Sequence, residues 1–185
     1  MSDRTFIGLD VHARSTVGYA LDPESGQVWQ RRMGADPGEV VGWVRSLPGP
    51  VKAGYEAGPT GYGLARLLLA AGVPTEVLAP SKIVRPAGDR VKTDVRDAQL
   101  LAQVLAMGEY AAVRIPSQAE ESARDLWRLR VAIAGDARRA KQRIGHLLLR
   151  RGLVYDGSPW TQAHLRWLRG VGFDDPTDAR VYDTS

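Results

Sequence analysis

The chain has no cysteine among its 185 residues. Disulfides, thiolate nucleophiles and zinc–thiolate sites are therefore excluded. It also has no apolar run approaching the roughly eighteen residues needed to span a bilayer. Its first residues, MSDRTFIGLDVH, lack the layout of a secretory signal. Tandem repeats and low-complexity tracts are absent too. The expectation is a soluble, cytoplasmic protein with no membrane partner, long enough for one domain and an appendage.

Charge is plentiful but uneven. The formal net charge is +4, yet residues 117–151 alone hold nine Lys/Arg against four Asp/Glu. A basic segment of this kind suits a polyanionic partner or a solvated helix face, and charge alone does not separate the two.

The apolar pattern is clearest in the first two thirds. TFIGLDV (5–11), STVGYALD (15–22) and QVWQRRM (27–33) read as strands joined by short polar links, which predicts an antiparallel meander. DPGEVVGWVRSL (36–47) reads as a helix with Asp36 as its cap and Pro37 in its first turn. VKAGYEA (51–57) is a strand. PTGYGLARLLLAAG (59–72) is a helix with Leu64, Leu67, Leu68 and Ala71 facing inward. PTEVLAP (74–80) is a further strand, and a basic link leads to a helix opening near Asp94. This β-β-β-α-β-α-β-loop-α order predicts an α/β fold, a mixed sheet with helices on its faces.

Residues 117–151 read as one long helix. Ala119, Ala123, Leu126, Ile133, Ala137, Ala140, Ile144 and Leu147 recur in steps of three and four, with Arg130 filling one step. That is a heptad seam, expected of a coiled coil or helical hairpin. SPWTQAHLRWLRG (158–170) reads as a short helix capped by Ser158. The last fifteen residues, 171–185, are acidic and read as an irregular tail. The expected division is thus 1–115, 116–170 and 171–185.

Carboxylates carry the chemistry. Asp10 closes the first strand, and an aspartate in a central strand is costly unless it is paired or bound to a cation. Glu56 closes the fourth strand. If these strands are parallel neighbours, both emerge at one sheet edge, where ligand sites of such sheets lie. Asp94 and Asp97 open the next helix. They serve as helix caps, as ligands at the same edge, or as both. Four crowded carboxylates repel unless divalent cations neutralise them. Oxygen ligands favour Mg2+ or Mn2+ over zinc. Two such ions suit the cleavage of a phosphodiester.

Several other residues carry two readings each. Lys92 neutralises phosphate near the metals or is a loop lysine. Arg128, Arg138, Arg139 and Arg143 track a nucleic-acid backbone or flank a solvated helix. His12 shares a face with Asp10 if the strand continues, and reads as a surface histidine. Trp160 and Trp167 read as packing residues, with base stacking as the alternative.

FIGLDVHARSTVGYALD, YEAGPTGYGLARLLLAAG, KTDVRDAQLLA and WTQAHLRWL, in this order and spacing, resemble the DEDD transposases of the "insertion sequence 110" family. The resemblance implies an RNase H-like, RuvC-type fold over about residues 1–115. It implies a magnesium-binding catalytic tetrad of Asp10, Glu56, Asp94 and Asp97. It also implies a coiled-coil appendage for homo-oligomer formation, and site-specific DNA recombination guided by a structured RNA. One departure stands out. The family usually carries a further domain with a serine nucleophile, and this chain ends at Ser185 before any such domain, so a truncated transposase is expected. The competing readings are a non-catalytic nucleic-acid-binding and dimerisation fragment, a Holliday-junction resolvase and an actin-like ATPase.

Overall fold

The computed structural model describes residues 4–83 and 93–184. They fall into two compact units, Met1–Ser117 and Gln118–Ser185.

The first unit contains β1 (Thr5–Val11), β2 (Thr16–Leu21), β3 (Val28–Met33), α1 (Pro37–Ser46), β4 (Val51–Glu56), α2 (Gly63–Ala70), β5 (Thr75–Leu78), α3 (Asp94–Met107) and β6 (Ala112–Val113). The strands form one sheet in the order β3-β2-β1-β4-β5-β6. The meander β1-β2-β3 is antiparallel, β1-β4-β5 is parallel, and β6 returns antiparallel to β5. The result is the expected mixed α/β sheet with flanking helices, consistent with an RNase H-like fold.

Local chemistry explains the connections. Between β2 and β3, the Asp22 carboxylate accepts from the Glu24 amide and the Ser25 hydroxyl. Gly26 supplies the left-handed residue that closes the turn, at φ 70°. Asp36 caps α1 by accepting from the Gly38 amide at 2.9 Å. After β4, buried Tyr55 donates to the Gly61 carbonyl at 3.0 Å and accepts from the Ala65 amide. That pins the loop after Glu56 to the start of α2.

The sheet has two unlike faces. Ile7, Leu9, Ala53 and Tyr55 point to one, where they pack with Val40, Trp43 and Val44 of α1 and with Leu64, Ala65 and Leu68 of α2. The opposite face is covered by α3. Its Ala98 and Ala102 meet Val17 and Tyr19, and Leu101 and Leu105 meet Leu78 and Phe6. Strand alternation places Phe6, Gly8 and Asp10 on this α3 face. A Cβ on Gly8 would stand 2.0 Å from the Ala98 carbonyl oxygen and 2.5 Å from the Ala102 nitrogen. The backbones of β1 and α3 therefore touch. Gly54, paired with Gly8 across the sheet, leaves similar room for Leu105.

Four expectations need correction. Leu67 is 49% exposed, and Ala65 takes the inward position instead, sharing the buried face of α2 with Leu64 and Leu68. β6 was not foreseen; at two residues it has too little pattern to read. The short helix of the second unit, α5 (Gln162–Arg169), begins three residues later than expected. Its cap is Thr161, which accepts from the His164 amide, while Trp160 is held at φ 63°, outside helical space. Finally, the tail is not irregular throughout, since Pro176–Thr184 form α6. Asp175 accepts from the amides of Thr177 and Asp178, and Pro176 starts the helix. Tyr182 donates to the Leu168 carbonyl, and Asp178 pairs with Arg151 through both carboxylate oxygens. These tertiary contacts hold a helix too short to announce itself by periodicity.

The remaining element, α4 (Gln118–Arg150), runs 33 residues, about 50 Å at helical rise. It ends at Gly152, left-handed at φ 68°, with the Leu153 amide reaching back to the Leu148 carbonyl.

Candidate metal centre

Register brings the first two carboxylates together. Leu9 pairs with Tyr55 across the parallel β1–β4 ladder, so the next residues, Asp10 and Glu56, stand side by side at the carboxyl ends of their strands. On its other side Asp10 pairs with Val17, which pairs with Arg32 of β3. Arg32, Val17, Asp10 and Glu56 thus form one row across the sheet, on the face that α3 covers.

α3 starts above that row. The expectation that Asp94 or Asp97 caps it is corrected. The cap is Thr93, whose hydroxyl accepts from the Arg96 amide at 3.3 Å. Asp94 is the first helical residue and Asp97 lies one turn on. Their carboxylates are favoured there by the helix dipole without being needed as the cap.

Three donors converge. His12 Nε2 lies 2.9 Å from Asp10 Oδ2 and 3.9 Å from Asp94 Oδ1. Among the described residues, one ligand atom each of Asp10, His12 and Asp94 lie within 4.8 Å of one another. Glu56 and Asp97 are outside that tight set. Glu56 lines the same cleft as Asp10 and His12. Asp97 is near enough for its charge to act on Asp10. Burial pushes the Asp10 carboxyl above its ordinary value, and the negative charges of Asp97 and Asp94 add to the rise. His12 opposes them through its hydrogen bond and its charge. The cleft, about 730 Å³, is walled on its far side by apolar Val40, Leu64 and Leu67.

The donor set fits a divalent cation. It is rich in carboxylate oxygen and partly buried, and the neighbouring aspartate charges help raise the pKa of Asp10 in the absence of a cation. Two residues of the site were undervalued from sequence. His12 had the correct parity but no visible partner. Arg32 forms an ion pair with Asp94 Oδ2, and its other nitrogen donates to Ser15 Oγ at 3.2 Å. Only the hairpin register, counted through both short turns, would have placed Arg32 in line with Asp10. Lys92 lies outside the described residues.

In the second unit Arg128, Arg138, Arg139 and Arg143 are all exposed along α4. Arg128 pairs with Asp125 at 3.4 Å and Arg139 with Asp136, in each case one turn away. Trp167 stacks on buried His164, with ring centres 5.6 Å apart, and Trp160 meets the same imidazole edge-on. Tyr155 completes the cluster, so both tryptophans are packing residues. Among the described residues, no helix is long and apolar enough to cross a membrane.

Known proteins resemble this chain in sequence. The y4qE protein of Sinorhizobium fredii (strain NBRC 101917 / NGR234), which bears a transposase name, is 38% identical over 177 residues, covering 92% of this chain and 45% of its own length. The transposase for insertion sequence element IS1533 of Leptospira borgpetersenii is 30% identical over 182 residues, covering 95% of this chain and 53% of its own. The chain therefore spans about half the length of the curated relatives it matches. A family model described as "Transposase", that of the DEDD transposases of insertion sequence 110, matches residues 7–151. That span runs from the strand bearing Asp10 past both helix aspartates to the end of the long helix. The chain belongs to the insertion sequence 110 family of DEDD transposases.

Proposed function

We propose that this chain is the part of a transposase that cuts and transfers the DNA strands of an insertion sequence, at a centre where Asp10, Glu56, Asp94 and Asp97 hold Mg2+ or Mn2+. The observation that carries this reading is the convergence of Asp10 from β1 and Asp94 from α3, with Glu56 beside Asp10 on the neighbouring parallel strand. Nothing in the packing of a sheet requires three acids at one edge. A cation held there supplies an activated oxygen nucleophile and stabilises the departing oxygen of a phosphodiester. The protein's part is to hold the acids close together, where burial and like charge make the ionised form of Asp10 costly until a cation neutralises it. β1 and β4 fix Asp10 and Glu56 by register, while the Thr93 cap fixes the first turn of α3. Arg32 orients Asp94 through one oxygen and leaves the other directed at His12.

The test is a crystal of the protein soaked in manganese and measured at its absorption edge. An anomalous peak within bonding distance of Asp10 and Asp94 is the expected result. Converged carboxylates with no peak at millimolar manganese would defeat the reading.

The long helix supports the partners. Leu126 and Ile133 of its seam are 70% and 58% exposed, whereas Leu147 near its end is buried. Burying such side chains against a second copy recovers about 1.5–3 kcal/mol each. We assign the seam to self-association and the flanking arginines to DNA and to the guide RNA that the family resemblance implies. Ile133→Glu is expected to halve the mass seen by light scattering, and an unchanged mass would exclude this seam as the contact. A labelled transcript that fails to shift at low salt would remove RNA from the reading.

A further inference from the structure

We infer that His12 is a direct ligand of this centre, which therefore holds Mn2+, or another ion that accepts imidazole, more tightly relative to Mg2+ than an all-carboxylate site would. The inference rests on the metal-centre reading above and extends it to a residue that the four acids do not include.

The distances carry it. Two donors at right angles on an ion with bonds near 2.1 Å are about 3.0 Å apart, and two opposed donors about 4.2 Å. His12 Nε2 is 2.9 Å from Asp10 Oδ2 and 3.9 Å from Asp94 Oδ1. These separations are close to those of donors sharing one octahedral ion. The chain is also shaped to keep the ring there. Phe6, Gly8 and Asp10 alternate on one face of β1, His12 directly follows the strand, and its amide donates to the Ser15 carbonyl at 2.9 Å, closing the turn. The Asp94 oxygen facing His12 is the one that Arg32 leaves open. Nε2 ligates through its lone pair, which places the ring proton on Nδ1.

The alternative role is positional. In that role His12 donates to Asp10 from outside and only orients it. The two roles differ in ion selectivity. An imidazole ligand contributes more to Mn2+ than to Mg2+, which prefers oxygen and retains water. An orienting hydrogen bond would serve both ions alike.

The experiment uses the intact chain, Mn2+ and Mg2+ alone as probes, and the variant His12→Gln, whose half-exposed site leaves the core untouched. Electron spin-echo spectra of bound Mn2+ should show nitrogen coupling in the parent protein and lose it in the variant. Calorimetry should show Mn2+ affinity falling about tenfold and Mg2+ affinity by less than about twofold. Bound manganese without nitrogen coupling, or equal losses for the two ions, overturns the inference while leaving the acidic centre intact. Failure of the parent protein to bind either ion overturns the centre itself, and the inference with it.

Discussion

Asp10→Asn is expected to cost at least about a hundredfold in divalent-ion affinity and, on the function proposed above, to remove any strand cleavage. The metal-free fold is expected to become more stable, not less. The two effects have one cause. Asp10 is partly buried beside Asp94 and Asp97, and burial with like charge lifts its pKa above the ordinary 3.8. A raised carboxyl pKa means that the folded chain holds the proton more firmly than the unfolded chain does. Stability from this group is therefore greatest below pH 3.8, declines as pH rises through the folded-state value, and stays lower above it. Asparagine has the same shape and does not ionise, so the variant lacks this decline. Without metal at pH 7 it should melt above the parent protein, and the difference should shrink as pH falls towards 4. Saturating Mn2+ should reverse the order, because only the parent gains binding energy. Thermal melts at both pH values, with and without metal, check all of this. A variant that melts lower at pH 7 in chelator would contradict the account of Asp10 as a charge the bare fold tolerates at a cost.

Gly8→Ala is the second large effect, and it reaches the same site by a different route. The new methyl would stand 2.0 Å from the Ala98 carbonyl oxygen, 2.5 Å from the Ala102 nitrogen and 2.8 Å from Leu101 Cβ. The first two are helix backbone and cannot rotate away, so α3 must lift off β1. Overpacking of this kind costs about 3 kcal/mol or more. The lift also carries Asp94 and Asp97 away from Asp10. Urea denaturation should show the lost stability, and manganese binding should fall in the fraction that still folds. Gly42→Ala in α1 is the control, since a Cβ there meets nothing within 4 Å, and it should be neutral or stabilise by up to about 1 kcal/mol. Equal behaviour of the two variants would show that the β1–α3 contact is looser than described.

The fold was legible wherever a period repeated. The meander, α1, β4, α2 and β5 each carry several apolar positions at the correct spacing. Their order left a parallel β1–β4 pair as the condition for Asp10 and Glu56 to share an edge, and the ladder contains that pair. What escaped was short or tertiary. β6 has two residues, and α6 depends on Arg151 just after α4 and on Leu168 of α5. Thr93 took the cap from Asp94 because a threonine one residue earlier already offers its hydroxyl. Arg32 is unreadable without the exact turn lengths on both sides of β2. Gly8 lies two residues before Asp10, and its missing side chain decides how closely the helix approaches.

That close approach also sets a timetable. β1 is made first, and its antiparallel neighbour β2 follows within a few residues. α3, which supplies Asp94 and Asp97, is made only after β5, and it packs chiefly on β1 and β2. Contacts so distant along the chain form late, because the long loop must close before they repay its entropy. A nascent chain that has released β1 to β5 has Asp10 and Glu56 in hand but no acids to face them. Ribosome-stalled chains whose released portions end before Asp94 or extend past Met107, probed for manganese binding, should divide sharply between none and full. On this view the four acids come together only once their unit is nearly complete, so a half-made chain offers a cation no full set of ligands.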